Sequence, residues 1–380
     1  MEEINILELF GGIGACTKAF KRLEIPYHIA DYVEIDKYAV ASYNAINGTN
    51  FEPQDICEWD KDIEVDLIMH GSPCQDFSLA GLQAGGDEGS GTRSSLMYET
   101  LRIVEKLKPK YVIWENVKNI ISKKHVHNFN NYINRMSELG YKSFYKVLNT
   151  KDYGIPQNRE RVFTISVRKD INKVFTFPQK QELKLKLKDM LEEEVDEKYY
   201  LTDSMINYLE NGKYQSSKVT NKLKQTDTGI CPTLDTMQGG NRQPFVRVKN
   251  ATKKGYLEAY EGDGINISSR MKYQRGNVQK DSIQTITTSG GSDRGVVTSN
   301  LKIRKLTPKE CWRLMSFDDE DFEKASKVNS NTQLYKQAGN SIVVNVLEAI
   351  LTNLLLKTTI NQEIIEGQTT IFDYIGDSNE

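Results

Sequence analysis

Asp66-Leu-Ile-Met-His-Gly-Ser-Pro-Cys-Gln-Asp-Phe-Ser78 changes character halfway along. Its first half is an apolar run of strand length, and Gly71-Ser72-Pro73 ends that run abruptly. Cys74 is thereby predicted just past the carboxyl end of a buried strand, where open α/β sheets place their ligands. Proline ahead of it stiffens the backbone, so the thiol is held in place. Ala80 to Gly91 then carries five glycines, a composition suited to a mobile lid. A thiol in a stiff turn beneath a lid reads as a nucleophile. The plainer alternative is a small buried hydrophobe in a βα loop.

Downstream, Lys110-Tyr-Val-Ile-Trp-Glu-Asn-Val117 repeats the design, an apolar strand with a carboxylate, Glu115, at its end. Two strands of one sheet would bring Cys74 and Glu115 to the same rim. Trp114 and Val117 flank the carboxyl with apolar surface, and such burial favours its protonated form, equipping it to donate. Upstream, Ile4 to Phe10 reads as a strand, Gly11-Gly12-Ile13-Gly14 as a turn and Cys16 to Leu23 as a helix, the opening unit of a nucleotide-binding sheet. A full GxGxxG fingerprint is not met, because Thr17 stands where the last glycine would be. The next strand, Tyr27 to Val33, ends in Glu34, roughly 20 residues past the glycines, the position of a ribose-binding carboxylate. Asp55 could hold an adenine amino group while Ile56 packs on the ring, or Asp55 is an ordinary turn residue. Helices over 96–108 and 128–139 and a strand over 141–148 continue the βαβ alternation, with right-handed crossovers expected.

At 380 residues the chain exceeds one typical domain, and two lobes are expected. With 38% hydrophobic and 27% charged residues it reads as soluble and globular. No apolar run of ~20 residues and no signal peptide are read, which predicts a cytoplasmic protein without membrane contact. The five cysteines show no metal-ligand spacing, so a reducing compartment and no metal are expected. The net charge of −2 conceals an uneven distribution: residues 211–305 hold 17 Lys and Arg against 7 Asp and Glu, leaving −12 for the remainder. A basic block in an acidic chain is the footprint of a polyanion-binding surface; its alternative is a solvated lysine-rich face.

Pro73-Cys74-Gln75 and Glu115-Asn116-Val117, in this order and spacing, resemble the C5-cytosine DNA methyltransferase family, in bacterial or phage form. Gln157-Asn-Arg159-Glu-Arg161 is similar to its Gln-Xaa-Arg-Xaa-Arg motif, Arg304 to Phe317 to its penultimate motif, and Gln337 to Asn345 to its last; the likeness covers residues 4 to 356. The departure is Ser94-Ser95 after Arg93, where a Gly-Thr pair is commoner, with an expected effect on the lid rather than on the chemistry.

The resemblance implies a Rossmann-like α/β sheet that binds S-adenosylmethionine, with a second, smaller, irregular β-rich recognition domain. It divides the chain into a catalytic part over 1–170, a recognition domain with connector over 171–303, a return over 304–357 and an acidic tail over 358–380. It assigns Phe10, Gly11, Gly12, Ile13, Gly14, Glu34, Ile35, Asp55, Ile56, Pro73, Leu96, Asn340, Ser341 and Val343 to the cofactor. It makes Cys74 the nucleophile and Glu115 the acid, with Arg161 at the target base and against Glu115, and Arg159 either structural or on phosphate. Ser78, Ala80, Arg93, Arg242 and Arg294 would touch DNA. The implied activity is methyl transfer to C5 of a cytosine flipped out of a specific duplex sequence, by a monomeric enzyme serving restriction-modification, with a cognate endonuclease, or phage self-protection. A cytosine-5 RNA methyltransferase of the same fold is the alternative. A nicotinamide oxidoreductase is disfavoured by Thr17 and the Cys74/Glu115 pair, and a non-catalytic DNA reader by the intact motifs.

Two further stretches stand apart. Lys180 to Glu197, charged and Leu-spaced, is expected to be a solvated helix and connector. Pro232 to Val246 is echoed by Gln284 to Val297, two strand-turn units with Arg242 and Arg294 at equivalent tips, each able to read guanine or anchor phosphate. In the tail, Gln368-Thr-Thr-Ile-Phe372 is similar to the peptides that dock on bacterial sliding clamps. The competing reading folds Ile371, Phe372 and Tyr374 back on the core as a strand or plug.

Overall fold

Buried parallel strands read as largely apolar runs, and Ile4–Leu9, Leu67–His70 and Tyr111–Val117 do so because both their faces are covered. The computed structural model describes residues 2–73, 93–200, 247–249, 256–259, 262–266, 278–286, 294–297, 303–357 and 369–370. They fall into two units, the first made of Met1–Leu148, Glu160–Lys180 and Ile342–Glu380, the second of Asn149–Arg159 and Gln181–Ser341.

In the first unit, β1 (Ile4–Leu9), β2 (Tyr27–Val33), β3 (Leu67–His70) and β4 (Tyr111–Val117) pair in parallel. Strand β1 lies between β2 and β3, so the chain reverses direction across the sheet there, the switch at which such folds bind ligands. Helices α1 (Ala15–Arg22), α2 (Lys37–Asn47), α3 (Met97–Leu107) and α4 (Val126–Glu138) link the strands. Leu7, Leu9, Ile68, Val112 and Trp114 of the sheet pack with Leu101, Val104, Phe129, Tyr132 and Ile133 of α3 and α4. Burial of such side chains contributes about 1.5–3 kcal/mol each. Beyond β4 the order continues through β7 (Glu160–Arg168), antiparallel to β4, to β5 (Tyr141–Asn149).

In the second unit, β6 (Gln157–Asn158) pairs with β12 (Ile283–Gln284), and β8 (Arg247–Lys249) with β9 (Tyr256–Glu258). A four-stranded sheet runs β11 (Val278–Gln279), β10 (Gly264–Asn266), β13 (Arg294–Val297), β14 (Ile303–Lys305). Helices α5 (Pro308–Arg313), α6 (Asp319–Ser326) and α7 (Asn331–Asn340) follow. Helix α5 starts on a capping box in which Thr307 accepts from the Glu310 amide and Glu310 accepts from the Thr307 amide. The same Glu310 meets Arg304 of β14 in a buried ion pair, 2.6 Å apart.

The boundaries therefore fall elsewhere than the expected 171–303. Pairing of β6 with β12 draws 149–159 into the second unit, and β14 carries 304–341 with it. Nor is 180–197 a helix. Its leucines serve an extended path broken by single 3-10 turns at Leu187–Met190 and Glu197–Tyr199, and Leu187 is fully buried, its amide on the Asp281 carbonyl. Within the first unit, α8 (Val344–Leu351) returns to pack on α1, with Arg22 Nη1 3.2 Å from Glu348 Oε1. One apolar stretch escaped the sequence reading: an 18-residue window within Asn331–Leu356 reaches a mean hydropathy of 1.5. Extended backbone at Ser341, ψ 157, divides it into α7 and α8, and half of its most apolar window is buried in the protein.

The tail contributes β15 (Thr369–Thr370), antiparallel on β5 at the sheet edge, Thr369 opposite Tyr145 and Thr370 opposite Phe144. These two residues lie as a strand on the seven-stranded sheet. Gln368, Ile371, Phe372 and Tyr374 are outside the described residues. Ending the chain after Lys357 removes this edge cover, and each lost backbone hydrogen bond costs ~1 kcal/mol. A drop of a few degrees in melting temperature is expected, with turnover kept within about twofold. Melting followed by circular dichroism checks this, and an unchanged curve would deny the strand any weight.

Candidate active site

Because β1 to β4 run parallel, their carboxyl ends share one rim. There β3 gives way to Gly71-Ser72-Pro73, and β4 presents Glu115. The register sets His70 beside Trp114, so the next residues, Gly71 and Glu115, come to the opposite face. Glu115 is buried at 8% exposure, and Arg161 Nε lies 3.1 Å from its Oε1. Arg161 reaches it because β7 runs antiparallel to β4, pairing Arg161 with Val117. The sequence reading gave this carboxyl apolar flanks and, by resemblance, set Arg161 against it. A Cβ at Gly71 would come within 3.8 Å of Glu115 Oε2 and 3.6 Å of Ile342 Cδ1, which places these groups around the turn that leads to Cys74. Cys74 itself, Ser78 and Ala80 lie outside the described residues, as do Arg242 and the side chains of Arg93 and Arg294.

The turn is tied to β4 through Ser72. Trp114 Nε1 donates to Ser72 Oγ at 3.0 Å, and Asn116 Nδ2 donates to the Ser72 carbonyl at 3.4 Å. Arg159 has a different fate from Arg161. It is 3% exposed, and its guanidinium donates to the carbonyls of Ile286 (2.9 Å), Gly339 (3.1 Å) and Ser341 (2.8 Å). Three backbone acceptors use its fork, a setting in keeping with the structural reading of Arg159.

The turn after β1 carries three positive φ angles, at Phe10 (53°), Gly12 (56°) and Gly14 (83°). Glycine is needed at two places for space as well. A Cβ at Gly11 would sit 2.5 Å from the Tyr32 ring, and one at Gly14 would sit 2.7 Å from the Tyr43 ring. Those rings stack, 3.8 Å between centroids, and the Tyr32 hydroxyl donates to the Gly12 carbonyl at 2.6 Å. On the other side Glu34 accepts from the Gly12 amide (3.1 Å) and the Asp36 amide (2.9 Å). Burial raises the Glu34 carboxyl, with the Asp36 and Gly12 amides acting the other way. Beside it Ile35 is 67% exposed, and at Gly12 an added Cβ would meet nothing within 4 Å. An apolar plate, a carboxylate acceptor and an open backbone turn suit an adenosyl group.

The remaining candidates are placed less uniformly. Asp55 Oδ1 accepts from the Cys57 amide at 2.9 Å, a turn contact, and Ile56 is 4% exposed within the core. Leu96 ends a single 3-10 turn before α3 and is half-buried, whereas Ser94 is fully buried. Asn340 is exposed at the end of α7; Ser341 and Val343 are buried, Ser341 in the second unit and Val343 in the first. Pro73 is half-buried. Among the described residues no three His, Cys, Asp or Glu side chains form a metal-binding group.

Sequence reasoning missed Glu8. Helix α1 begins at Gly14, which has no side chain to cap it, and its first turn has no acid. Glu8 of β1 does the capping from outside, accepting from the Thr17 amide at 3.2 Å and from the Thr17 hydroxyl. Tyr43 Oη lies 3.0 Å from that hydroxyl, joining the cap to the tyrosine stack under the glycine turn. The available signal was a lone carboxylate inside an otherwise apolar strand.

The sequence pattern of the C-5 cytosine-specific DNA methylases matches residues 4–356. The orphan methyltransferase M.SPRI of Bacillus phage SPR is 33% identical, over 96% of this chain and 100% of its own. The type II methyltransferase M.HhaI of Haemophilus parahaemolyticus is 33% identical, over 92% of this chain and 94% of its own. In fold, the chain is similar to the crystal structure of a Spodoptera frugiperda DNMT2 mutant, with a TM-score of 0.62 at 19% identity, covering 93% of this chain and 99% of that one.

Burial pushes the Glu8 carboxyl up from 4.5 to about 7, against the bonds from Thr17 and Tyr43. The folded chain thus holds this proton more tightly than the unfolded one. The resulting stability is present below about pH 4.5 and is lost as pH rises through about 7. Glu8→Gln removes that dependence. Relative to the parent, the variant is expected to gain up to about 3 kcal/mol between pH 5 and pH 8. Parallel melting-temperature profiles for the two proteins would contradict the assignment.

Proposed function

The chain belongs to the C-5 cytosine-specific DNA methylase family, and from that premise we propose that Cys74, Glu115 and Arg161 carry its reaction on a cytosine flipped from a specific duplex sequence. What supports this reading most is the Glu115–Arg161 pair, 3.1 Å apart beside Gly71, on the turn that leads into Cys74.

Cytosine C5 is a poor nucleophile, and covalent catalysis removes that obstacle. The Cys74 thiolate adds to C6, and the electron pair moves into the ring toward N3. Glu115 answers there by donating a proton or hydrogen bond, and Arg161 holds its carboxyl in place. C5 becomes enamine-like and takes the methyl group. S-adenosylmethionine, when bound, supplies that group as an electrophile. Loss of the C5 proton and elimination of the Cys74 sulfur restore the aromatic ring. The Phe10–Gly14 turn would hold the cofactor, with Glu34 on the ribose hydroxyls and Ile35 against the adenine. Flipping the base costs a few kcal/mol, which contacts to the DNA around it must offset.

Residues 211–305, with their excess of basic side chains, are proposed to read the duplex. The relatives include an orphan phage enzyme and a type II enzyme, so phage self-protection or restriction-modification is the proposed role, the latter with a cognate endonuclease.

Incubation with duplex DNA is expected to yield 5-methylcytosine on mass spectrometry of the digest, with transfer RNA unmodified. N4-methylcytosine or N6-methyladenine would overturn the proposal. Cys74→Ser is expected to abolish turnover and trapping on 5-fluorocytosine DNA while S-adenosylmethionine affinity stays within about twofold, because thiolate addition is the step removed. Glu115→Gln should lower kcat by roughly 100-fold or more. For Arg242→Ala and Arg294→Ala, a lost base contact relaxes specificity by ~1–3 kcal/mol, whereas a lost phosphate contact weakens all sequences alike.

A further inference from the structure

Trp114 is 1% exposed, and three aromatic rings hold it still. The His70 ring lies parallel to it, 5.8 Å away at 6°, with Tyr132 at 4.2 Å and Phe129 at 5.7 Å. His70 is itself fixed by the Tyr132 hydroxyl, 2.9 Å from Nε2, and burial lowers its pKa to about 3, so the ring is neutral at working pH. The indole N–H thus points in one direction, and it donates to Ser72 Oγ at 3.0 Å. Ser72 is 3% exposed and stands two residues before Cys74, separated from it only by a proline of fixed φ. Glu115 follows Trp114 directly on the same strand.

We propose that the Trp114–Ser72 hydrogen bond is a positioning device for catalysis, locking the turn that bears Cys74 to the strand that bears Glu115. Neither residue touches substrate. The bond ties the residue two before Cys74 to the residue just before Glu115, and attack on C6 with protonation at N3 needs sulfur and carboxyl placed together. The requirement falls on the addition step, not on cofactor or DNA binding. The proposal rests on Cys74 being the nucleophile.

The test compares Trp114→Phe, which keeps a ring but removes the donor, with Ser72→Ala, which removes one oxygen, and with the double variant. Single-turnover trapping on 5-fluorocytosine duplex DNA reads the addition step, and titration with S-adenosylhomocysteine reads the cofactor site. Each single variant is expected to slow adduct formation about tenfold, the double variant no further, and cofactor affinity to stay within about twofold. Normal trapping rates in Ser72→Ala, or losses that multiply in the double variant, would overturn the proposal. So would losses matched by equal weakening at the cofactor site, which would mark general structural damage. Cys74→Ser in the same assay separates the two readings: if it still forms the adduct, the nucleophile is wrong. If it does not while Ser72→Ala traps normally, only the positioning role fails.

Discussion

Parallel pairing of β3 with β4, Leu67 beside Tyr111 through His70 beside Trp114, is the constraint on which the site depends. A slip of one residue in that register would turn Glu115 to the face occupied by α4 and bring Trp114 to the catalytic side. The aromatic cluster of His70, Trp114, Phe129 and Tyr132 resists such a slip, because it fits only when both strands present their rings to the same helix. Packing on one face of the sheet therefore fixes chemistry on the other.

Arg159 and Arg161 show how far one residue's setting governs its use. They are two positions apart in an extended segment, and a motif treats them as a pair. Arg161 opens β7 and faces the carboxylate of β4. Arg159 belongs to the second unit and collects carbonyls from Ile286, Gly339 and Ser341. One guanidinium lies against the Glu115 carboxylate, and the other gathers three backbone carbonyls of the second unit.

Much of the first unit was legible because its determinants are local. Tyr27–Val33 and the strand ending at Val117 are runs with sharp stops, α3 and α4 show their apolar spacing, and the glycine turn announces its own backbone. The rest depends on residues distant in the chain. Glu8 caps a helix that starts seven residues later, so it looked like a flaw in a strand. Tyr32 and Tyr43 looked like ordinary core aromatics, although their stack is what forbids side chains at Gly11 and Gly14. The leucines of 180–197 kept a helical spacing by chance, and the Asp281 carbonyl decided their path. Ile35 and Ile56 were both assigned to the cofactor by resemblance, and their residue types did not show that the first is 67% exposed and the second 4%.

The chain passes between the two units four times, at 148/149, 159/160, 180/181 and 341/342. The second unit is therefore not a cassette bounded by two cuts. Exchanging 181–341 alone would leave behind 149–159, and with it β6, the partner of β12, and the arginine that gathers three carbonyls of the departing piece. The host's own arginine would have to find equivalent acceptors in foreign backbone. Loops of this unit could drift freely, while its seams would have to change in step with an eleven-residue strip on the far side of β7 in sequence.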